Sequence, residues 1–453
     1  MDGHNGTAIT TADVTPRPGT PESEAITPAP KANPFATPYG SVPVSASGSS
    51  TALNQPQNRF FHSRRVKKGE LEKPWLGKKD PRERWVNIIP CIGILLGLCL
   101  TGFLIYNGLQ TVSNKQYCVV FEDDFSNGFN EKIWMKEAEV GGFGNGQFEQ
   151  TTNTEENVFI KDGQLVIKPT LQDQALLETN NVINLLKDGS CSSTVWSDCV
   201  AVTNTTNGTI VNPVKSGRVS TRNGAQIKFG RIEVEARMPD GDWLWPAIWM
   251  LPKNNTYGDW PASGEIDIAE GRGNNYTYPQ GGSNIVSSTL HWGPDPDNDG
   301  WFRNNEKRKA LHTTWSAGFH MYGMEWSEKY IFTYVDTRLL QVMYVGFDTP
   351  FWTKGNFPAA DSNGTRLANP WAETGKDNTP FDQEFYLILN VAVGGTNGWF
   401  DDGVMSKPWV DGSPNAKSEF WNARNQWYPT WEKNGQMTVK SVKMWQEKGY
   451  NGC

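Results

Sequence analysis

Two kinds of hydrophobic pattern divide the chain. From Ile88 to Tyr106 nineteen residues (IIPCIGILLGLCLTGFLIY) run without a charge. As a helix this run is about 28 Å long, close to the thickness of a bilayer core. A buried core helix is rarely charge-free on every face, and a cleaved signal peptide would be shorter and sit at the extreme N-terminus. The pattern therefore predicts one transmembrane helix over 86–106, with Pro90 tolerated in its first turn. From Cys118 onward the pattern changes to short alternating or β-branched runs punctuated by Gly, Asn, Asp and Pro: NVFIKDGQLVIKP, GRIEVEARM, IVSSTLHW, HMYGMEW, YIFTYVDTRLLQVMY, FYLILNVAVGG and MTVKSVKMWQ. In GRIEVEARM, Ile232, Val234 and Ala236 alternate with Glu233, Glu235 and Arg237, as a half-buried strand requires. With no long helical period and no repeat, the expected fold is all-β, one large sandwich over 118–453, with loops inserted near 172–215 and 350–380.

Composition sharpens this division. Residues 1–85 are rich in Pro, Ser and Thr and carry 12 basic against 8 acidic residues, whereas the remainder carries 30 against 41, a net of −11. The first segment reads as a disordered tail. The acidic remainder excludes nucleic acid as a natural partner. Ten basic residues lie between Arg59 and Arg84, but only Lys115 stands close on the other side. Positive-inside orientation then places the tail in the cytosol, a stalk at 107–117 and the sandwich outside or in a lumen: a type II membrane protein. Cys118, Cys191, Cys199 and Cys453 fall on the oxidising side, where three pairings are open. Cys191–Cys199 would close a short loop, and Cys118–Cys453 would tie the domain's two ends. No CxxC or histidine cluster supports a metal site, and no cofactor is implied. Sequons at Asn204, Asn207, Asn254, Asn275 and Asn363 share the oxidising side; a sixth, at Asn5, lies in the tail.

The candidate chemistry sits in GDWPASGEIDIAEGRGN. Glu265 and Asp267 share one face of a strand. Strict alternation would turn Glu270 away, but a one-residue bulge near Ile268–Ala269 would return it. Two converging Glu side chains four steps apart leave about 5 Å between carboxyls, the spacing of a retaining glycosidase. Acids alternating on a strand more often form a solvated face, so context must decide. Eighteen of the twenty tryptophans fall beyond the apolar run. Trp243, Trp245, Trp260, Trp292, Trp301 and Trp399 lie beside Gly, Asp, Asn or Pro, where either core packing or a sugar-stacking groove can claim them. Trp249, inside PAIWMLP, reads as core.

The context is a resemblance. The block SGRVSTRNGAQIKFGRIEVEARMPDGDWLWPAIWMLPKNNTYGDWPASGEIDIAEGRGN resembles glycoside hydrolase family 16, in its laminarinase branch and the invertebrate β-1,3-glucan recognition proteins. VVFEDDFSNGFNEKIW, GNGQFEQTTNTEENVFIKDGQLVI, HMYGMEWSEKYIFTYVD and FYLILNVAVGG extend the resemblance over about 118–447. It implies a concanavalin A-like jelly roll with a glucan cleft on its concave face, and a monomer acting on β-glucan. By matched position it implies Glu265 as nucleophile, Glu270 as acid/base and Asp267 between them. It also implies substrate contacts from Trp243, Trp245, Trp249, Trp260, His291, Trp292 and Trp399. Some members hold calcium away from the cleft, for which EDDF at 122–125 is acidic enough. The expected activity is endo-β-1,3-glucanase. The alternatives are a wall-assembling transglycosylase, since the layout also resembles yeast proteins needed for β-1,6-glucan synthesis, and a receptor that only binds.

Overall fold

The computed structural model describes residues 65–77, 80–111, 115–360, 363–450 and 453. Most of the expected disordered tail, including Asn5, lies outside these residues. Contacts divide the chain into one unit up to Cys99 and a second from Leu100. A single described helix, Glu83–Thr111, has the length and apolar composition to cross a membrane. It extends beyond the expected 86–106 at both ends. Pro90 consequently lies inside the helix, past the first turn, where it leaves one carbonyl without its usual partner.

The second unit is a jelly-roll β-sandwich. Among the described residues it contains two eight-stranded sheets in which every pairing is antiparallel. The first runs in the order Gln341–Gly346, Tyr330–Val335, His320–Trp326, Gly230–Arg237, Met437–Glu447, Gln164–Ile167, Val158–Lys161, with Tyr117–Asp123 also on Met437–Glu447. The second runs Asn305–Lys309, Ile285–His291, Glu265–Gly271, Leu244–Pro252, Phe385–Val393, Arg218–Ser220, Met135–Lys136, with Gln226–Ile227 also on Phe385–Val393.

Alternation puts the core between the sheets. Ile232, Val234 and Ala236 are fully buried, and Glu233, Glu235 and Arg237 face outward. From the second sheet Ile248, Met250, Ile266, Leu290, Leu387 and Leu389 meet them with no exposed surface. Each such side chain contributes about 1.5–3 kcal/mol on burial. Two disulfides form, Cys118–Cys453 and Cys191–Cys199. The asparagines of the five described sequons are all exposed.

The segment expected as a loop at 172–215 is structured. It holds a short helix, Gln174–Glu178, and a hairpin of Asn181–Asn184 with Val200–Thr203. A small apolar cluster of its own, Leu177, Ile183, Leu185 and Val211 against Val140 and Trp421, explains why it folds. The segment near 350–380 likewise carries a helix, Phe351–Gly355.

Candidate active site

The strand Glu265–Gly271 lies inside the second sheet, between Leu244–Pro252 and Ile285–His291. Gly264 admits it: the backbone there turns at φ +82°, and a Cβ would press on Pro380 and Phe381 at 3.1 Å. Along the strand the pairing slips by one residue. Trp249 faces Asp267 while Ile248 faces Ala269, and on the other side Asp267 and Glu270 face Thr289 and Ser287. This is the bulge at Ile268–Ala269 expected from the sequence. It turns Glu270 back to the face shared by Glu265 and Asp267. The bulge carbonyl of Ile268 accepts from the buried Ser288 hydroxyl at 2.7 Å, which in turn accepts from Thr333 of the other sheet at 2.7 Å. Neither hydroxyl has a signal in the sequence.

Both glutamates have an indole donor. Trp260 Nε1 donates to Glu265 at 2.8 Å, and Trp245 Nε1 donates to Glu270 at 3.0 Å. His291, opposite Glu265 in the register, sits between two carboxylates: Nε2 is 3.3 Å from Asp267 and Nδ1 is 2.5 Å from Asp299. Asp299 is itself oriented by the backbone N–H groups of Trp292 and Trp301. Burial, and after it the charge of Asp267, push the Glu265 carboxyl up. Burial and the charge of Glu270 push Asp267 up, and burial raises Glu270. The unliganded site therefore holds protons among its carboxyls near neutral pH. Burial alone would lower the His291 imidazole, but hydrogen bonds to Asp267 and Asp299 raise it well above its ordinary value. Oxygen and nitrogen atoms of Glu265, Asp267 and His291 come within 4.8 Å of one another. Carboxylates stand at both ring nitrogens, and an imidazole protonated on both has no lone pair for a metal.

The aromatic expectations divide. Trp245 stacks on Trp399 at 4.6 Å and 11°, directly beside Glu270. Trp260 is 41% exposed over Glu265 and packs near His291 at 5.6 Å. Trp249, expected in the interior from its apolar run, lies on the outer face and donates to Asn390 at 2.7 Å. It shares parity with Trp245, whereas Ile248 and Met250 take the inward positions. Trp243 and Trp292 do not reach this face, so neither makes the substrate contact expected of it. Trp243 is 2% exposed and enclosed by Tyr278, Phe400 and Trp409. Trp292 has no exposed surface, packs on Phe351 and Phe357, and donates to Asn304. It follows His291 directly, so the strand turns the two side chains to opposite sides.

Sequence reasoning passed over several groups on this face. Arg218, paired with Glu137 at 2.7 Å, lies 4.8 Å from the Trp249 ring and 4.1 Å from that of Phe143. Asn390 receives the Trp249 indole. Arg272, in the quoted acidic block itself, lies 4.0 Å over Trp399.

Comparison with known proteins places this arrangement. The description "Glycosyl hydrolases family 16" matches residues 186–372. The β-1,3-glucan-binding protein of Penaeus monodon is 39% identical over 342 residues, which cover 72% of this chain and 90% of that one. The chain belongs to glycosyl hydrolase family 16. The glucan endo-1,3-β-glucosidase of Cryptopygus antarcticus is 32% identical over 279 residues, covering 61% of this chain and 80% of that protein. The β-1,3-glucan-binding protein 1 of Galleria mellonella is 32% identical over 320 residues, 70% of this chain, which spans 61% of that relative's length. Family 16 membership thus joins this chain both to proteins named for glucan cleavage and to proteins named for glucan binding.

Proposed function

We propose that residues 118–453 act as a retaining endo-β-1,3-glucanase, with room for mixed β-1,3/1,4 chains, held on a membrane by the helix Glu83–Thr111. The observation that carries this reading is the alignment of Glu265, Asp267 and Glu270 on one face through the bulge, the two glutamates each held by an indole N–H and Asp267 paired with His291. Glu265 attacks the anomeric carbon and displaces the glycosidic oxygen, which takes a proton from Glu270. Glu270 then removes a proton from water as the water oxygen displaces Glu265 from that carbon. The charged His291 favours the Glu265 carboxylate against the opposing charge of Asp267. Trp245 and Trp260 offer apolar ring faces to pyranose rings, and Trp399, with Trp245 on one ring face and Arg272 on the other, supports Trp245. The basic flank from Arg59 to Arg84 supports a cytosolic N-terminus and a lumenal or extracellular domain, where the disulfides persist and the five exposed sequons are open to glycosylation. An anchored enzyme suits glucan remodelling better than digestion, because a digestive enzyme gains from release.

A binding-only reading has one observation in its favour, the name borne by the Penaeus monodon relative. Both readings are tested by incubating the detergent-solubilised full chain with reduced laminari-oligosaccharides and weighing the products. Shorter products alone mark a hydrolase, longer ones a transglycosylase, and unchanged oligosaccharides with intact binding a receptor. Glu265→Gln is expected to keep glucan affinity and to lose cleavage by roughly 10³-fold. Unaltered turnover in that variant would remove Glu265 from the chemistry.

A further inference from the structure

The Trp245 indole that donates to Glu270 is stacked by a residue from outside the acid cluster. Trp399 stacks on the far face of Trp245. Above Trp399 lies the Arg272 guanidinium, 4.0 Å from its ring centre. Arg272 also donates twice to the backbone carbonyl of Trp399, from Nε at 2.9 Å and from Nη2 at 2.6 Å. One side chain therefore fixes both the ring and the main chain of residue 399. A planar fork that bonds and stacks at once is a property of Arg and not of Lys. The loop beyond is clamped separately: the fully buried Lys407 pairs with Asp402 at 2.6 Å and with Asp411, and donates to the Phe400 carbonyl at 2.8 Å.

We propose that Arg272 is a positioning residue for Glu270, acting through Trp399 to hold the Trp245 N–H on the carboxyl and lending its own charge to the same site. The inference rests on the reading of Glu270 as acid/base. The charged and titratable groups facing Glu270 are Glu265 and Asp267 on its own strand, His291 on the next, and Arg272. Around Arg272 stand Tyr278 and Asp401, with Lys307 within electrostatic reach from the edge strand. Glu265 opposes ionisation of Glu270, whereas His291, the Trp245 hydrogen bond and Arg272 favour it. Removing Arg272 withdraws one of these directly and loosens a second. The Glu270 proton is then held more tightly, and the alkaline limb of activity, where the acid loses that proton, moves to higher pH.

The test compares Arg272→Met, Arg272→Lys and Trp399→Leu in the detergent-solubilised full chain. Arg272→Met is expected to lower kcat by about 10-fold and to raise the alkaline limb of kcat/KM by about one pH unit. Arg272→Lys keeps the charge and loses the fork, so kcat falls while the limb moves by less than half as much. Trp399→Leu removes the stack alone and should reproduce the Lys pattern. The same midpoint is read without turnover by carbodiimide labelling of Glu270, followed against pH by peptide mass spectrometry. If the wild type cleaves nothing yet its labelling midpoint rises in Arg272→Met, the coupling stands and the glucanase reading falls. A merely structural Arg272 would lower kcat and melting temperature together and leave both midpoints unmoved. That result overturns the proposal, as does wild-type behaviour in Arg272→Met; should Arg272→Met fail to fold, unmoved kcat in both Arg272→Lys and Trp399→Leu overturns it.

Discussion

At the scale of single residues, the charge on His291 is the quantity most exposed to test. Asp267 and Asp299 hold the imidazole protonated against its burial, and that positive charge favours ionisation of Glu265. Asp299→Asn removes one of the two supports, so His291 releases its proton at lower pH. Glu265 must then ionise without a neighbouring cation, which raises its proton affinity. The acidic limb of kcat/KM is expected to move upward by about one unit, read from a pH–rate profile on laminari-oligosaccharides. An unmoved limb would show that the His291 charge does not reach Glu265. The acids and His291 were legible because each falls in a short block with a family resemblance. Trp292 was misplaced although alternation held the answer, since adjacent strand residues cannot both face one side. Trp243 carried no such warning. It precedes the strand Leu244–Pro252 with φ at +67°, a conformation set by the surrounding aromatic packing and invisible to a two-residue period.

At the scale of elements, the bulge decides whether three acids share one face of the strand. Its position could be read from the spacing, because three acids at 265, 267 and 270 share a face only with one residue inserted. What supports it could not. Ser288 and Thr333 lie far apart in sequence and meet across the core, where a polar pair has no periodic signature. Ser288→Ala leaves the Ile268 carbonyl buried and short of its donor, at a cost of about 1–3 kcal/mol. The expected outcome is a lower melting temperature together with a kcat loss larger than Ser287→Ala produces, measured on both variants. Equal kcat in the two would mean that the bulge holds its shape without this bond. The segment 172–215 shows the opposite failure of reading. Its polar, Asn-rich sequence suggests a loop, yet four scattered aliphatics and a disulfide suffice to fold it against Val140 and Trp421.

At the scale of the molecule, the alternation in strands such as Gly230–Arg237 was enough to anticipate two sheets, and order within them follows from pairings no local pattern encodes. Met437–Glu447 is an example: the last strand of the domain lies beside both the first, Tyr117–Asp123, and the central Gly230–Arg237. The Cys118–Cys453 bond secures that closure across 335 residues. Replacing both cysteines with serine is expected to cost about 2–5 kcal/mol, seen as a lower melting temperature, with the Cys191–Cys199 bond left in place. A melting curve identical to the wild type would assign the closure to the strands alone. The same bond has a topological consequence. It makes the polypeptide from 118 to 453 a covalent ring, so one protease cut in any of its many loops opens the ring into a line and frees nothing. The strands on either side of the nick stay in place, joined both by the sheet and by the sulfur bridge. A domain exposed outside the cell can thus be cleaved once and remain whole, the damage becoming visible only when the bridge is reduced.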